Sequence, residues 1–286
     1  LIFRRRSSSP PTTRTQRAPR EPEPVLVKAE DWEKLRQAGR INARILASLR
    51  AAVQPGVRPI ELDQMARDIL KEEGAESPFL GYSTPSSRNR PYPAVINLSV
   101  NEELVHAIPN KRVLNKGDVV TIDCGTRYQG LIVDSAITVG VGKLSDKHQA
   151  LITATEEALA AAIALARPGR RVGDISAAIE MTLKKHKVNI PPPFGGHAVG
   201  YSLHGAPHVS NLGKPGTGRP LQVGMALAIE PMGMFGKSTT RLLSDGWTVI
   251  ATDKSVCAHS EHTVLITEGG AEILTLLPPP HLSTQN

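Results

Sequence analysis

The sequence predicts an α+β protein built from two similar halves. Helical and strand-like stretches follow one another in the order helix, helix, strands, and that order occurs twice. PGVRPIELDQMARDILK (55–71) aligns with PGRRVGDISAAIEMTLK (168–184) at a shift of 113, with Pro, Gly, Arg, Leu and Lys in register and Glu61 matched by Asp174. LVHAIP (104–109) and SLHGAP (202–207) repeat at a shift of 98, and VVTIDCG (119–125) and ALAIEPM (226–232) at a shift of 107, in the same order along the chain. Three ordered matches indicate a duplication.

Each element follows from local chemistry. Residues 1–24, LIFRRRSSSPPTTRTQRAPREPEP, offer almost nothing to bury after the first three and are expected to be a disordered tail, though the composition also resembles an organelle transit peptide. Residues 25–286 are expected to form one domain. Trp32, Leu35, Ala38, Ile45 and Leu49 recur at helical spacing, predicting a helix over 30–53 that Pro55-Gly56 stops. A second helix is expected over 60–73, with Leu62, Met65, Ile69 and Leu70 inward and Gly74 as its stop. Strands follow at 94–100, 118–124 and 130–141. Ser145 can cap a third helix ending at Pro168-Gly169, and a fourth runs over 172–187. Strands are then expected at 225–232, 247–252, 263–267 and 271–276.

Composition narrows the class. Hydrophobic residues make up 40% but aromatics only 3%, so the core must rest on Ala, Val, Ile and Leu. Two cysteines, Cys124 and Cys257, argue against a disulfide framework and fit a reducing compartment, so a cytoplasmic location is expected. The longest apolar run, 158–166, is too short to span a bilayer. Net charge is +7, of which +4 lies in residues 1–24, leaving +3 for the remaining 262. That mild excess gives no strong nucleic-acid signal, and specific DNA binding is not expected.

The chemistry concentrates in acids on apolar strands. Asp123 sits in VVTIDCG, Asp134 in GLIVDSAITV, Glu230 in ALAIEPM and Glu261 in SEHTVLIT. A carboxylate buried in such surroundings is costly unless paired or bound to metal. No Lys or Arg lies within three residues of Asp134, Glu230 or Glu261, and only Arg127 lies close to Asp123. Metal is the economical way to neutralise four acids. Oxygen-rich sites with one imidazole suit Mn, Fe, Co or Zn, and four carboxylates exceed what one catalytic zinc normally takes, so two bridged ions fit. GGHAVGYSLHGAP (195–207) supplies two histidines seven apart on glycine-rich backbone. His204 has a repeat counterpart in His106, whereas His197 has none, which makes His197 the ligand and His106 and His204 a pair flanking the site. The glycines are expected to let backbone pass close to the metals. His148 and His186 fall on helices, while His208, His259 and His262 are read as near the site in sequence only. A serine triad through Ser202 lacks its elbow motif, and Cys124 reads as a small strand hydrophobe.

With this constellation assembled, the chain resembles type I methionine aminopeptidases of the pita-bread metallopeptidase superfamily over roughly 28–277. NEELVHAIP, DVVTIDCG, IVDSA, GGHAVG, SLHGAP, ALAIEPM, DGWTV and SEHTVLIT carry the resemblance. It implies a pita-bread fold, with an antiparallel sheet covered by helices on one side. It implies metal ligation by Asp123, Asp134, His197, Glu230 and Glu261, with Asp134 and Glu261 bridging two divalent ions (Co, Mn, Fe or Zn). It also implies catalytic roles for His106, His204 and Glu230, and a substrate slot lined by Phe79, Tyr82, His106, Leu203, His204 and Trp247. The activity implied is removal of initiator methionine from nascent chains with a small second residue, by a monomer that meets peptide substrates and no membrane. The basic tail could associate with ribosomal RNA. The chain departs from the family pattern at Asn97, Ala107, Ala198 and Leu203, and in the extra residues 83–92. An Xaa-Pro-type aminopeptidase of the same fold, and an inactive pita-bread protein that binds protein or RNA, are the competing readings.

Overall fold

Two copies of one three-stranded unit, each backed by a helix pair, build the molecule. In a computed structural model, residues 23–87 and 90–278 are described. Most of the expected tail, 1–22, lies outside them, and so do positions 88 and 89 of the extra segment. Within the described part, Glu23 Oε2 accepts a hydrogen bond from Arg219 Nη1 at 2.8 Å.

The first half comprises α1 (Trp32–Ala52), α2 (Pro59–Glu72), β1 (Asn97–Val100), β2 (Glu103–Val105), β3 (Val119–Tyr128) and β4 (Leu131–Gly140). The second begins with α3 (Asp146–Leu165) and α4 (Val172–Lys185), followed by β5 (Gly195–Ala198), β6 (Gly205–Ser210) and β7 (Ala226–Ile229). It continues through β8 (Met232–Met234), β9 (Thr240–Leu242), β10 (Val249–Ala251), β11 (Cys257–His259), β12 (His262–Thr267) and β13 (Gly270–Ile273). One sheet has the order β1-β3-β4 and the other β13-β12-β7-β5-β6, with antiparallel pairing throughout. The unit β1-β3-β4 therefore recurs as β5-β7-β12. Short sheets β2-β10-β9 and β11-β8 lie beside them. Among the described residues no helix is long and apolar enough to cross a membrane.

The duplication extends to hydrogen bonds. At the start of α2, the Arg58 N–H donates to Glu61 Oε2 at 2.9 Å while the Glu61 N–H donates to the Arg58 carbonyl. At the start of α4, 113 residues on, the Arg171 N–H donates to Asp174 Oδ2 at 2.8 Å and the Asp174 N–H returns to the Arg171 carbonyl. Both acids satisfy a helix-terminal donor and oppose the helix dipole.

Helices cover one face of each sheet. Ile41, Ile45 and Leu49 of α1 and Leu62, Ile69 and Leu70 of α2 pack on Leu98, Val120, Ile122 and Cys124. In the second half, Leu151, Ala158 and Leu159 of α3 and Ile175, Ile179 and Leu183 of α4 pack on Leu227, Ile229, Val264 and Ile266. Backbone bonds stitch the sheets together: Ile132 and Gly200 exchange a pair at 2.6 and 3.1 Å, and the Glu261 N–H donates to the Ala136 carbonyl at 2.9 Å. Asp134 lies between these two stitches.

Candidate metal centre and its cleft

Strand alternation carries the acids to one place. In β3, Val120, Ile122 and Cys124 face the helices, so Asp123 faces away from them. In β4, Ser135 points back to Asn42 of α1, so Asp134 points away. Leu227 and Ile229 of β7 face α3 and α4, which leaves Glu230, one residue on, outside that layer; Val264 and Ile266 do the same for Glu261. All four acids are less than a tenth exposed. His197 on β5 lies opposite Ala228, two residues before Glu230. Gly196 beside it serves strand packing rather than metal access: a Cβ there would sit 2.1 Å from the Ala228 carbonyl oxygen. Gly195 is similar, facing the Val209 carbonyl at 2.7 Å, so the expectation that these glycines admit the metals is replaced by one of close strand approach.

Ligand atoms of Asp134, His197 and Glu261 all lie within 4.8 Å of one another. His197 Nε2 is 3.5 Å from Glu230 Oε1. Asn97 Nδ2 donates to Asp123 Oδ2 at 2.6 Å, while Asp123 Oδ1 and Asp134 Oδ1 are buried without a hydrogen-bond partner. Burial, then the charge of Glu261, pushes the Asp123 carboxyl up to about 7, and burial pushes Glu261 to about 8. Asp134 and Glu230 are raised well above the usual carboxylate range by the same two causes in that order. Burial, then His204, holds His197 down at about 3, so its imidazole is neutral. Crowded carboxylates that resist ionisation, orphaned carboxylate oxygens and a neutral imidazole fit a hard or borderline divalent cation.

Above the acids opens a cleft of about 400 Å³. Its wall includes every residue expected at the site: the five candidate ligands, His106 and His204, and Phe79, Tyr82, Leu203 and Trp247. Phe79, Tyr92, Ile132, Leu203 and Trp247 form one apolar cluster, against which Tyr82 packs. The extra segment helps close this side. Thr84 lines the cleft, the Trp247 indole N–H donates to the Arg90 carbonyl at 2.9 Å, and the Tyr92 ring meets the Trp247 ring edge-on at 5.1 Å between centroids.

The two histidines of GGHAVGYSLHGAP converge despite their odd spacing. The chain leaves β5 at Ala198 and turns before β6, so the His197 and His204 rings meet with centroids 4.4 Å apart. His204 lines the cleft and is exposed to solvent, though partial burial of its ring lowers its pKa; its Nδ1 lies 2.8 Å from Tyr82 Oη. His106 is held at φ +59°, a left-handed conformation rare outside glycine, and burial followed by His204 lowers its pKa to about 4. His262 turns away and bonds Thr275, as expected.

Three residues at the site escape the sequence reading. His208 lies across the strand pair from His197. Asn97 becomes visible only through the register that sets it opposite Asp123. His259, read as near in sequence alone, has Nε2 at 3.6 Å from Glu230 Oε2 and 3.4 Å from Glu261 Oε2. Its signal was available, because His259 and Glu261 are two apart in extended chain and share a face.

Comparison with known proteins gives a consistent picture. The model of metallopeptidase family M24 matches residues 33–268. A methionine aminopeptidase from Aquifex aeolicus is 45% identical over 88% of this chain and 98% of its own length. Methionine aminopeptidase 1 from Bacillus subtilis is 42% identical over 84% of this chain and 94% of its own. The crystal structure of a Thermotoga maritima methionine aminopeptidase superposes with a TM-score of 0.84 at 39% identity, covering 88% of this chain and 99% of that one. A Pyrococcus furiosus prolidase shares the fold at a TM-score of 0.68 and 22% identity, and 66% of its chain is covered.

Proposed function

The chain belongs to metallopeptidase family M24, and from that premise we propose that it removes N-terminal methionine from peptides with a small second residue, using two divalent ions held by Asp123, Asp134, His197, Glu230 and Glu261. It is a metallo-aminopeptidase, and it binds metal through its buried Asp/His/Glu cluster. The observation that carries the reading is the placement of that cluster at the base of an apolar cleft. We assign residues 25–286 to one catalytic domain, in line with the family match and the stitched sheets. The two buried, unpaired cysteines support a cytoplasmic location. Association of the basic segment 1–24 with ribosomal RNA and a monomeric state complete the proposal.

The chain's own groups divide the work. The methionine side chain lies in the slot of Phe79, Tyr82, Leu203 and Trp247, where sulfur packs well against rings. Tyr82 O–H donating to His204 Nδ1 leaves the His204 proton on Nε2, ready to donate to the peptide oxygen as charge develops there. His106, fixed by its left-handed backbone, offers a second neutral imidazole on the same cleft wall. The Glu230 carboxylate, on the cleft wall beside His197, can take a proton from attacking water and deliver it to the leaving amine. Divalent ions bound to the acids supply Lewis acidity and lower the pKa of water.

Likeness to the prolidase extends to the fold alone, and only 66% of the prolidase chain is covered. The decisive experiment adds Mn, Co, Fe or Zn to metal-free protein and follows release from Met-Ala-Ser and Ala-Pro peptides. Methionine release with at least one metal is expected. Release from Ala-Pro alone would establish the Xaa-Pro reading, and no release with any metal would establish a binding role.

A further inference from the structure

His259 is the one buried imidazole beside the acids to which neither the duplication nor the ligand set gives a task. It is 2% exposed, and neither of its ring nitrogens has a hydrogen-bond partner. Leaving a ring N–H and a ring acceptor buried and unmade is unfavourable, so a group facing the ring has to account for it. Two carboxylate oxygens face Nε2, Glu230 Oε2 at 3.6 Å and Glu261 Oε2 at 3.4 Å. The ring's direction is set from behind. The His259 N–H donates to Thr138 Oγ1 at 3.0 Å, Thr138 Oγ1 donates to the His259 carbonyl at 2.7 Å, and β11 pairs His259 with Met232 of β8.

Glu230 shows what the ring can do. Its Oε1 lies near His197 Nε2 at 3.5 Å, on the side of the proposed ligand, and its Oε2 lies near His259. A carboxylate that gives one oxygen to a metal keeps a second oxygen whose lone pairs need a donor, and the orientation of that donor fixes the ligand. Lys and Arg do not serve here: among the described residues no ion pair joins them to any of the four acids. A neutral imidazole with its proton on Nε2 supplies a donor without adding a buried charge.

We propose that His259 is a positioning residue of the metal centre, its Nε2–H turned toward Oε2 of Glu230 and Oε2 of Glu261 so that both carboxylates are oriented for metal before it arrives. The inference rests on the metal-centre reading above and adds to it a residue that touches neither the substrate nor, in this account, the ion.

The test measures metal binding directly. Metal-free parent, His259→Leu, His259→Gln and Asp134→Ala are titrated with Mn²⁺ by calorimetry, and each metal-free melting curve is recorded. Parent binding together with loss in Asp134→Ala upholds the metal centre, and absence of binding in the parent refutes that centre and this inference with it. His259→Leu, which keeps bulk but no donor, is expected to bind about 10–100-fold more weakly, the usual effect of removing a group behind a ligand. His259→Gln, which keeps an N–H, is expected within about threefold of the parent, far less than that loss. Parent-like affinity in His259→Leu would overturn the proposal. So would equal weakness in both variants with unchanged melting, which would show that the ring itself is needed. If His259→Leu does not fold, His259→Gln decides: parent-like affinity upholds the donor role and a tenfold loss overturns it. Pulsed EPR of Mn²⁺ in the parent gives an independent readout, because two coordinated imidazoles there would make His259 a ligand and refute a positioning role.

Discussion

Replacing Tyr82 by phenylalanine removes one oxygen and tests how His204 is prepared. Tyr82 Oη lies 2.8 Å from His204 Nδ1, and the two rings are 5.2 Å apart between centroids. Burial raises the Tyr82 pKa, so the phenol stays protonated and donates. Burial lowers that of His204, so the imidazole accepts in its neutral form. The bond therefore selects the tautomer with the proton on Nε2. Phenylalanine keeps the ring that packs on the cluster of Phe79, Leu203 and Trp247. What is lost is one neutral hydrogen bond, about 0.5–1.5 kcal/mol, together with the tautomer bias. The expected fall in kcat on Met-Ala-Ser is thus about 2–13-fold, with KM and metal content near parental. Complete loss of a transition-state donor would cost far more, about 10²–10³. Steady-state kinetics with metal analysis of the same sample settles the matter. An unchanged kcat would refute the tautomer argument, and depletion of metal would place His204 among the ligands.

Three further outcomes follow from the same geometry. His204→Ala should lower turnover by about 10²–10³ while bound metal, measured by elemental analysis, stays near parental. Leu203→Phe adds a ring to the wall shared by Phe79, Tyr92 and Trp247, and should sharpen the preference for Met over Leu, within the ~10–200-fold that an apolar pocket can command; an unchanged ratio of kcat/KM values would remove Leu203 from the slot. The metal-free protein should become less stable as pH rises. Burial, then the Glu261 charge, raises the folded-state pKa of Asp123 to about 7, and burial raises that of Glu261 to about 8, so their contribution is full below the unfolded carboxylate range and is lost as pH climbs through those values. Melting of metal-free protein should therefore be higher at about pH 5.5 than at about pH 8.5, and added metal should reverse the order, since metal takes the ionised acids.

Long amphipathic elements were legible because their patterns span several turns or many alternations. The expected 30–53, 60–73 and 172–187 helices appear as Trp32–Ala52, Pro59–Glu72 and Val172–Lys185, and the expected strand at 130–141 appears as Leu131–Gly140. Strands β2, β8, β9, β10 and β11 have three residues each, too few for alternation to register, and of these only β10 falls wholly within an expected strand, 247–252. The expected strand over 225–232 breaks at Glu230-Pro231 into β7 and β8, which puts Glu230 at a strand end, where its side chain is free of the ladder. Glycines hid β5 and β6, because Gly195 and Gly196 are there for close strand approach and carry no hydrophobic pattern. At the site, residue types on apolar strands announced the acids. Asn97, which supports Asp123, depends on cross-strand register, which has no sequence period; Tyr82 is expected in the slot, and only its bond to His204 is not.

The duplication explains why the acids meet, and its imperfections explain the chemistry. In each copy the middle strand of a three-stranded unit carries an acid, Asp123 on β3 and Glu230 just past β7, and the following strand brings a second, Asp134 or Glu261. The strand flanking the middle one is where the copies part. β1 presents Asn97 opposite Asp123, an amide that donates to its carboxylate. β5 presents His197 opposite Ala228, an imidazole whose Nε2 approaches Glu230 Oε1. An amide donor orients a carboxylate but binds divalent ions poorly, whereas a neutral imidazole is a strong ligand for borderline cations. A symmetric pair of amides would leave only oxygen donors, suited to Ca or Mg, and a symmetric pair of imidazoles would shift the site toward Zn or Cu. One of each, at the seam where Ile132 meets Gly200 and Ala136 meets Glu261, gives the proposed site a mixed donor set, for which Mn, Fe, Co or Zn would be the expected ions.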